Sequence, residues 1–335
     1  MLGDNFRPWG QLSWLLDHLP KTEWALLGCL ATEDRSLAGW KLLRNRNELQ
    51  RCKLLTVKDL PSAMWQEASD KKLKERQQEF ADEGGSIEQV EAHTLFERHE
   101  DIIKTAQEFS NSAGQNVIVD ISSLPKRFFF PMVKVLLRTA GIKNLLAVYT
   151  VPERYSDAPL AQNPETWRHL PMFMPPQPEP DEKIIFVGLG FEPLGLPQLL
   201  VGQEFQATTF KILFPFPAPF KGTQKNWKFV RTLEPNIGTS RHHPIRVSPI
   251  NVSEAFDTII AATDRGDRYA MFAPYGPKPI SLAMCLYASS KSSAVYYTQP
   301  RFYNPDYSIG VKTVGGQPAV YGYCLRLNGI DLYTT

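Results

Sequence analysis

The chain has 335 residues, of which 43% are hydrophobic and 21% are charged, and its formal net charge is +2. This composition is typical of a globular protein and excludes a disordered chain, while a charge so near zero does not indicate a nucleic-acid partner. The chain is longer than an ordinary domain with one hydrophobic core, and its length suits two such domains of about 150 residues each.

Nothing in the sequence indicates export or a membrane. The segment MLGDNFRPWG has neither a basic region nor an apolar stretch, and no apolar run is long enough to span a bilayer. The cysteines at positions 29, 52, 285 and 324 do not lie within metal-ligand spacing of one another. We therefore expect a soluble cytoplasmic protein without a disulfide, a metal site, a cofactor or membrane contact.

Apolar runs that favour β-structure alternate with helical patterns in the first half of the chain. The predicted strands are 24–31, 53–57, 116–121 and 144–150, and the predicted helices are 64–80, 95–109 and 125–140. Continuous apolar strands with helices between them are typical of a parallel sheet that is covered on both faces. The order predicts a Rossmann-like unit.

Residues 171–182 form the strongest linker candidate. The segment PMFMPPQPEPDE contains five prolines and has no hydrophobic period. We therefore predict an N-terminal Rossmann-like domain over 1–170, a proline-rich linker over 171–182 and a C-terminal Rossmann-like domain over 183–335.

The second half repeats the alternation of strands and helices. The predicted strands are 183–187, 208–214, 245–247, 268–273 and 294–298, and 320–327 is predicted to close a sheet edge. Helices are predicted near 197–204, over 222–233, from Asn251 with a capping-box-like Glu254, and from the Pro274–Pro279 loop to Tyr287. The predicted fold class is α/β, with two tandem Rossmann-like units whose mainly parallel sheets are flanked by helices.

A coarse two-fold repeat relates residues 117–150 to residues 268–298, since each runs strand, loop with a lysine, helix, strand. Ligands of open α/β sheets bind beyond the carboxyl ends of strands, where the start of a helix can face an anion. In the first loop, the Asp120 turn, the candidate ligand-binding residues are Asp120, Ser122, Ser123, Lys126 and Arg127. Their other interpretation is a capped helix with solvated charges.

The second loop, the Gly276 turn, has the same position and different chemistry. Its candidate ligand-binding residues are Tyr275, Gly276, Lys278 and Ser281. Gly188 and Gly190 are further candidates, because they follow a strand and precede a predicted helix. Their spacing, GxGxxxxG, differs from the dinucleotide pattern GxGxxG, so a tight turn that needs glycine is the alternative.

The aromatic segment Gln299–Gly310 follows the last strand of the predicted second domain. Arg301 and Tyr303 are candidates for stacking on a base, and the alternative is a rigid loop whose tyrosines only pack. Adjacent His242 and His243 suit a metal pair poorly, because neighbouring side chains of an extended chain point in opposite directions. Motifs of nucleophilic or metal catalysis are absent from the sequence, so no catalytic residue is predicted.

The layout resembles the CARF-type and SAVED-type nucleotide sensors of prokaryotic defence systems, whose loop after the fourth strand reads roughly D-x-[ST]-G-G-[ST]-K. The Asp120 turn keeps the aspartate, a hydroxyl and the lysine at Asp120, Ser122 and Lys126 but lacks both glycines, whereas the second turn keeps Gly276 and Lys278 without the aspartate. The resemblance implies binding of a nucleotide second messenger, often within a dimer, with any effector supplied by a separate chain.

Three functions therefore remain open at the level of the sequence. The first is a non-catalytic sensor or regulatory module of antiviral defence that binds a nucleotide or a phosphorylated ligand and acts with a separate effector protein or as a homo-oligomer. The second is an enzyme that acts on a nucleotide or a phosphorylated small molecule. The third is a scaffold or interaction subunit of a larger complex, with the aromatic segment and the polar helices of 66–107 as contact surfaces.

Overall fold

The computed structural model describes residues 6–60, 64–180, 182–192, 194–197, 208–217, 222–237 and 242–335. In the first half, the strands are β1 (Trp9–Gln11), β2 (Trp24–Cys29), β3 (Leu49–Lys58), β4 (Val90–Thr94), β5 (Asn116–Asp120) and β6 (Asn144–Thr150). The helices are α1 (Leu12–Asp17), α2 (Ala38–Asn45), α3 (Gln66–Asp82), α4 (His99–Ser112) and α5 (Lys126–Arg138).

In the second half, the long strands are β7 (Lys183–Gly188), β8 (Thr209–Pro215), β9 (His242–Val247), β10 (Tyr269–Pro274) and β11 (Val320–Leu327). The helices are α6 (Gly222–Ile237), α7 (Val252–Ala262) and α8 (Lys278–Lys291). Short strands occupy Arg154–Tyr155, Ala161–Pro164, Arg168–His169, Tyr296–Tyr297, Pro300–Tyr303, Ser308–Ile309, Thr313–Val314, Gln317–Pro318 and Ile330–Asp331. None of the helices in the described ranges is both long and apolar enough to cross a membrane.

The chain divides into two compact units. The first unit combines residues 1–163 with 301–332, and the second combines 164–300 with 333–335. This division differs from the predicted boundary in 171–182, because the chain enters the second unit earlier and leaves it again at residue 300. The physical reason is β11, which pairs antiparallel with β6 and with β1 and so belongs to the sheet of the first unit.

The sheet of the first unit has the strand order β1-β11-β6-β5-β2-β3-β4. Strands β2 to β6 are parallel, and every residue of β2 is buried. Both faces of the sheet are therefore covered, as the continuous apolar strands predict. Residues of α1, α2 and α3 join those of the central strands in one core cluster that includes Leu26, Trp40, Phe80 and Ile118.

The second unit contains a parallel sheet of strand order β9-β8-β7-β10. Its helix α8 is buried from Pro279 to Ala288, and α7 packs against it. The N-cap of helix α7 is Asn251, whose side chain accepts a hydrogen bond from the Glu254 N–H, as the capping pattern predicts. The Glu254 carboxylate instead accepts the Ser248 N–H, so the reciprocal half of a capping box is not formed with Asn251.

Both units are thus α/β, with mainly parallel sheets flanked by helices, which confirms the predicted fold class. The elements differ from the predictions in several places. Strand β1 and helix α1 were not predicted, β3 begins at Leu49 rather than at residue 53, and β9 begins at His242 rather than at residue 245. Strand β4 was not predicted, α4 begins at His99 rather than at residue 95, and the strand predicted over 294–298 is reduced to Tyr296–Tyr297 with a bridge between Val295 and Phe272. The helix predicted near 197–204 lies almost wholly outside the described residues.

Candidate functional site

Each sheet has a point at which its strand order reverses. In the first unit the chain passes from β2 outward through β3 and β4, then returns to the other side of β2 with β5 and β6. In the second unit β8 and β9 lie on one side of β7, and β10 lies on the other. The loops that leave adjacent strands at such a reversal separate, and the opening beyond the carboxyl ends of the strands is the usual ligand position.

The Asp120 turn follows β5 at the reversal of the first sheet. Asp120 is buried, and its Oδ1 accepts a hydrogen bond of 2.8 Å from the Ser122 N–H. Its carboxylate also packs on the first turn of α2, since a Cβ atom at Gly39 would lie 2.5 Å from Oδ2. A carboxylate beside a helix start is stabilised by the helix dipole. Asp120 therefore orients the loop.

The two serines of this turn are used differently. The Ser122 hydroxyl is fully buried and accepts a hydrogen bond of 2.8 Å from the Thr150 N–H, which joins the turn to the end of β6. The Ser123 Oγ is also buried, but it has no hydrogen-bond partner among the described residues, and the same holds for the Thr150 Oγ1. Native proteins seldom leave buried hydroxyls unpaired. These two hydroxyl groups are therefore candidates to bind a polar group of a ligand at this edge of the first sheet.

Helix α5 starts with two cations. Pro125 is its N-cap, Lys126 and Arg127 are its first residues, and its first turn contains no acidic side chain. The Arg127 Nη2 donates a hydrogen bond of 2.9 Å to the Glu97 carbonyl, and its guanidinium lies 6.0 Å from the centre of the Phe96 ring. A helix start attracts negative charge, and Lys126 and Arg127 add two positive charges at this one.

The loop after β2 contributes a buried ion pair that was not predicted from the sequence. Arg35 is 2% exposed, and its Nη2 lies 2.8 Å from the Glu33 Oε2. Its Nη1 donates to the Thr150 carbonyl at 3.1 Å, and its guanidinium lies over the Tyr149 ring. Burial lowers the pKa of Arg35, but the Glu33 carboxylate and the nearby tyrosines more than offset this, so the pKa lies above its ordinary value. Arg35 is thus a permanent cation at this edge.

Part of the aromatic segment crosses the same edge of the first sheet. The Tyr303 N–H donates to the Asp59 carboxylate, which directly follows β3, and the Gly310 N–H donates to Asp34 at 2.8 Å. The Ser308 hydroxyl donates to the Glu33 carboxylate. Arg301 and Tyr303 were predicted in the C-terminal domain, and the correction is that they belong to the first unit. Arg301 is exposed there and Tyr303 is half-buried.

The glycines of the second unit are explained by backbone packing. A Cβ atom at Gly190 would lie 2.1 Å from the Tyr275 carbonyl oxygen, and one at Gly276 would lie 2.9 Å from the Leu189 carbonyl oxygen. The loops after β7 and β10 therefore touch through their main chains, and a residue with a side chain would separate them. Gly188 belongs to the same contact, since its carbonyl carbon lies 3.0 Å from the Cβ position of Gly276.

The remaining candidates of the Gly276 turn are largely buried. Tyr275 is 8% exposed and its hydroxyl pairs with the Thr298 hydroxyl at 2.8 Å. Burial raises the pKa of Tyr275 above its ordinary value, so this phenol stays neutral. The Ser281 hydroxyl donates to the Gly276 carbonyl at 3.4 Å, and Lys278 is the half-buried first residue of α8.

Apart from Arg301, the predicted site residues thus form two sets. Asp120, Ser122, Ser123, Lys126 and Arg127 lie at one edge of the first sheet, and Tyr303 reaches that edge through Asp59. Gly188, Gly190, Tyr275, Gly276, Lys278 and Ser281 lie at the corresponding edge of the second sheet. Glu33 and Arg35 were missed, although a run of charged residues directly after an apolar strand is a signal that could have indicated them.

No protein-family model and no curated protein matches this chain. Among solved structures, it is similar to one described as a Type III CRISPR defence DNA nuclease activated by cyclic oligoadenylate, with a TM-score of 0.50 and 10% sequence identity. That match covers 82% of this chain and 65% of the nuclease chain, so this chain corresponds to just under two thirds of the nuclease.

Two further structures match at lower TM-scores. A universal stress protein from Archaeoglobus fulgidus matches with a TM-score of 0.23 and 13% identity, over 83% of this chain and 97% of that one. A ketoreductase domain from the bacillaene assembly line matches with a TM-score of 0.18 and 8% identity, over 86% and 68% of the two chains. What the comparisons establish is a likeness of fold between this chain and a defence nuclease.

Proposed function

We propose that this protein is a sensor module that binds a phosphate-bearing nucleotide at the carboxyl edge of its first sheet. The observation that carries the proposal is the start of α5, where Lys126 and Arg127 stand at the reversal of strand order with no acidic side chain in the first turn. The buried Ser123 Oγ beside them has no partner among the described residues and is suited to a phosphate oxygen.

Aromatic side chains near this edge favour a nucleotide over inorganic phosphate. Tyr303 is held near the end of β3 by Asp59, and its ring lies 6.0 Å from that of Tyr307, which itself lies 6.0 Å from the ring of Tyr155. Tyrosine rings of this kind can stack on a base while the helix start binds a phosphate.

The polar groups of the turn favour binding over catalysis. The Asp120 carboxylate accepts the Ser122 N–H, and the Ser122 hydroxyl accepts the Thr150 N–H. Groups that are fixed in structural hydrogen bonds are poorly placed to move protons during a reaction. We therefore prefer a sensor to an enzyme that acts on the same ligand.

The likeness to a defence nuclease suggests which ligands to test first. That protein is described as activated by cyclic oligoadenylate. We propose a ligand of this class for this chain, a role in prokaryotic defence, and an effector that is a separate protein or a second copy of this chain.

Calorimetric titration of the full chain with cyclic tri-, tetra- and hexa-adenylate and with ATP tests the proposal. We expect at least one cyclic oligoadenylate to bind. Lys126→Ala should weaken this binding by about tenfold or more, because a charge-assisted hydrogen bond contributes about 1.5–3 kcal/mol. Lys143→Ala is the matched control, since Lys143 is exposed near the opposite end of the first sheet, just before β6 begins.

The same samples distinguish the alternatives. Binding without any product on chromatography supports a sensor, whereas turnover that Asp120→Asn abolishes in a folded protein would establish an enzyme instead. If no member of the panel binds and a second protein always co-purifies, the protein is a scaffold and the proposal is wrong.

A further inference from the structure

The exposed face of α6, in the second unit, carries an unusual combination of side chains. Trp227 is 48% exposed, and Lys228 and Arg231 are exposed beside it. Helical spacing places these three residues and Gln224 on one face, opposite the buried Asn226, Phe229, Val230 and Leu233. The exposed Lys228 and Arg231 give this face positive charge.

A second aromatic group continues from this face at the carboxyl end of β8. The ring of Phe214, near the end of β8, lies 5.3 Å from the ring of Trp227. Two residues further on, Phe216 is 48% exposed and lies under the Arg246 guanidinium, whose carbon is 5.0 Å from the ring centre. We call Phe216, Trp227, Lys228, Arg231 and Arg246 the α6 patch.

The chemistry of the α6 patch selects its ligand. A scattered exposed aromatic residue needs no explanation, but two of them interleaved with three cations form a surface that offers both stacking and charge. We infer that the α6 patch binds single-stranded nucleic acid, with unpaired bases stacked on Trp227 and Phe216 and phosphates paired with Lys228, Arg231 and Arg246. The two rings require unpaired bases, because the faces of bases in a duplex are already stacked on one another.

The α6 patch and the proposed nucleotide site share no residue. The α6 patch lies in the second unit, whereas the Asp120 turn lies in the first. The near-zero net charge of the chain is no objection, because the positive charge here is local. The inference therefore stands or falls independently of the proposed sensor function.

Fluorescence anisotropy of a labelled oligothymidylate, titrated with the full chain, tests the stacking part. Trp227→Ala should weaken binding by about tenfold, and Trp227→Phe should restore part of it, because stacking on an aromatic ring contributes substantially per base. Trp14→Ala is the matched control, since Trp14 is 52% exposed but lies in the first unit. Far-UV circular dichroism checks that each variant is folded.

The salt dependence of binding tests the charge part. The logarithm of the affinity falls as the logarithm of the salt concentration rises. Removal of one phosphate contact should make this slope less steep by about 0.7 for a single strand. We expect such a decrease for Lys228→Ala and for Arg231→Ala. Lys74→Ala, which removes an exposed lysine of α3 in the first unit, should leave the slope unchanged.

Three outcomes would overturn the inference. The first is no oligonucleotide binding, including the case in which the chain binds anionic lipid vesicles instead. The second is equal affinity of wild type and Trp227→Ala with unchanged salt slopes. The third is loss of oligonucleotide binding in Lys126→Ala alone, which would assign that binding to the first unit. Equal binding of cyclic oligoadenylate by wild type and Trp227→Ala would support two separate sites.

Discussion

Asp59 shows how a single half-buried carboxyl group makes the stability of the aromatic segment depend on pH. It follows β3 and accepts a hydrogen bond from the Tyr303 N–H. Burial raises the pKa of Asp59 and this hydrogen bond lowers it by less, so the pKa rises from 3.8 to about 6. The folded protein therefore holds this proton more tightly than the unfolded chain. The resulting contribution to stability is complete below pH 4 and is lost as the pH rises through 6.

The substitution Asp59→Asn tests this dependence of stability on pH. Asparagine stays neutral and can still accept the Tyr303 N–H, so the free energy of unfolding should rise by up to about 3 kcal/mol above pH 7 and change little near pH 4. Urea unfolding across this pH range measures the difference. Asp70→Asn, at an exposed position of α3, should show no such pH dependence. An equal effect of Asp59→Asn at both pH values would contradict the assigned pKa.

Gly190 tests the packing explanation of the glycine loop. Alanine at this position would place its Cβ 2.1 Å from the Tyr275 carbonyl oxygen, so the two loops must move apart. We expect Gly190→Ala to lower the free energy of unfolding by about 2 kcal/mol or more. Gly141→Ala, with no atom within 4 Å of its Cβ, should change it by less than about 0.5 kcal/mol in chemical denaturation. Similar effects of the two substitutions would refute the explanation.

Among the elements of the first unit, β11 is joined to the end of α5 by hydrogen bonds from Arg326. Its Nη1 donates to the Thr139 and Ile142 carbonyls at 3.0 and 3.1 Å, and its Nε donates to the Asp331 carboxylate at 2.6 Å. A buried guanidinium that satisfies carbonyls at a helix end also compensates the negative end of the helix dipole.

Arg326→Met should therefore destabilise the first unit by about 3 kcal/mol, because it leaves buried carbonyls without donors while it retains most of the apolar stem. Thermal unfolding followed by far-UV circular dichroism measures this loss. Arg138→Met is the comparison, since Arg138 is the exposed last residue of α5. If both variants unfold at the same temperature, Arg326 does not hold the helix end as described.

The elements that the sequence predicts well are those with a strong local pattern. Strands β2, β5 and β6 are almost wholly apolar because parallel strands are covered on both faces. Strand β4 lies at the end of the sheet and buries only His93 fully, so its sequence has no apolar run. The Asp120 turn was found because it follows a recognisable strand. The interactions of Glu33 were not predicted, because its partner Ser308 is 275 residues away in sequence.

In the whole molecule, residues 164–300 of the second unit are inserted between the two parts of the first, and residues 333–335 return to the second unit. The proline-rich segment 171–182 indicated a boundary, but contacts through space decide the division, and β11 returns the chain to the first sheet. Local composition does not encode such a return. Where the chain leaves and re-enters the first unit, the Asn304 N–H donates to the Leu160 carbonyl at 2.9 Å, so the two ends are adjacent.

A deletion follows from this arrangement. Replacement of residues 164–300 by a short glycine–serine linker should leave a first unit that folds cooperatively, because adjacent ends cost little to join. Circular dichroism and a thermal melt measure the outcome, with a chain truncated after residue 163 as the control that also lacks β11. A deletion variant that shows no cooperative transition, or one no more stable than the truncated chain, would contradict the division.

The proposed function depends on the binding of a nucleotide phosphate at the start of α5. Hydrogen–deuterium exchange of the intact chain, with and without cyclic tetra-adenylate and the other members of the nucleotide panel, tests it most directly. We expect slower exchange of the backbone amides in residues 121–130 and in the segment around Tyr303, with little change in residues 274–284. Protection confined to residues 274–284, or none with any member of the panel, would contradict it.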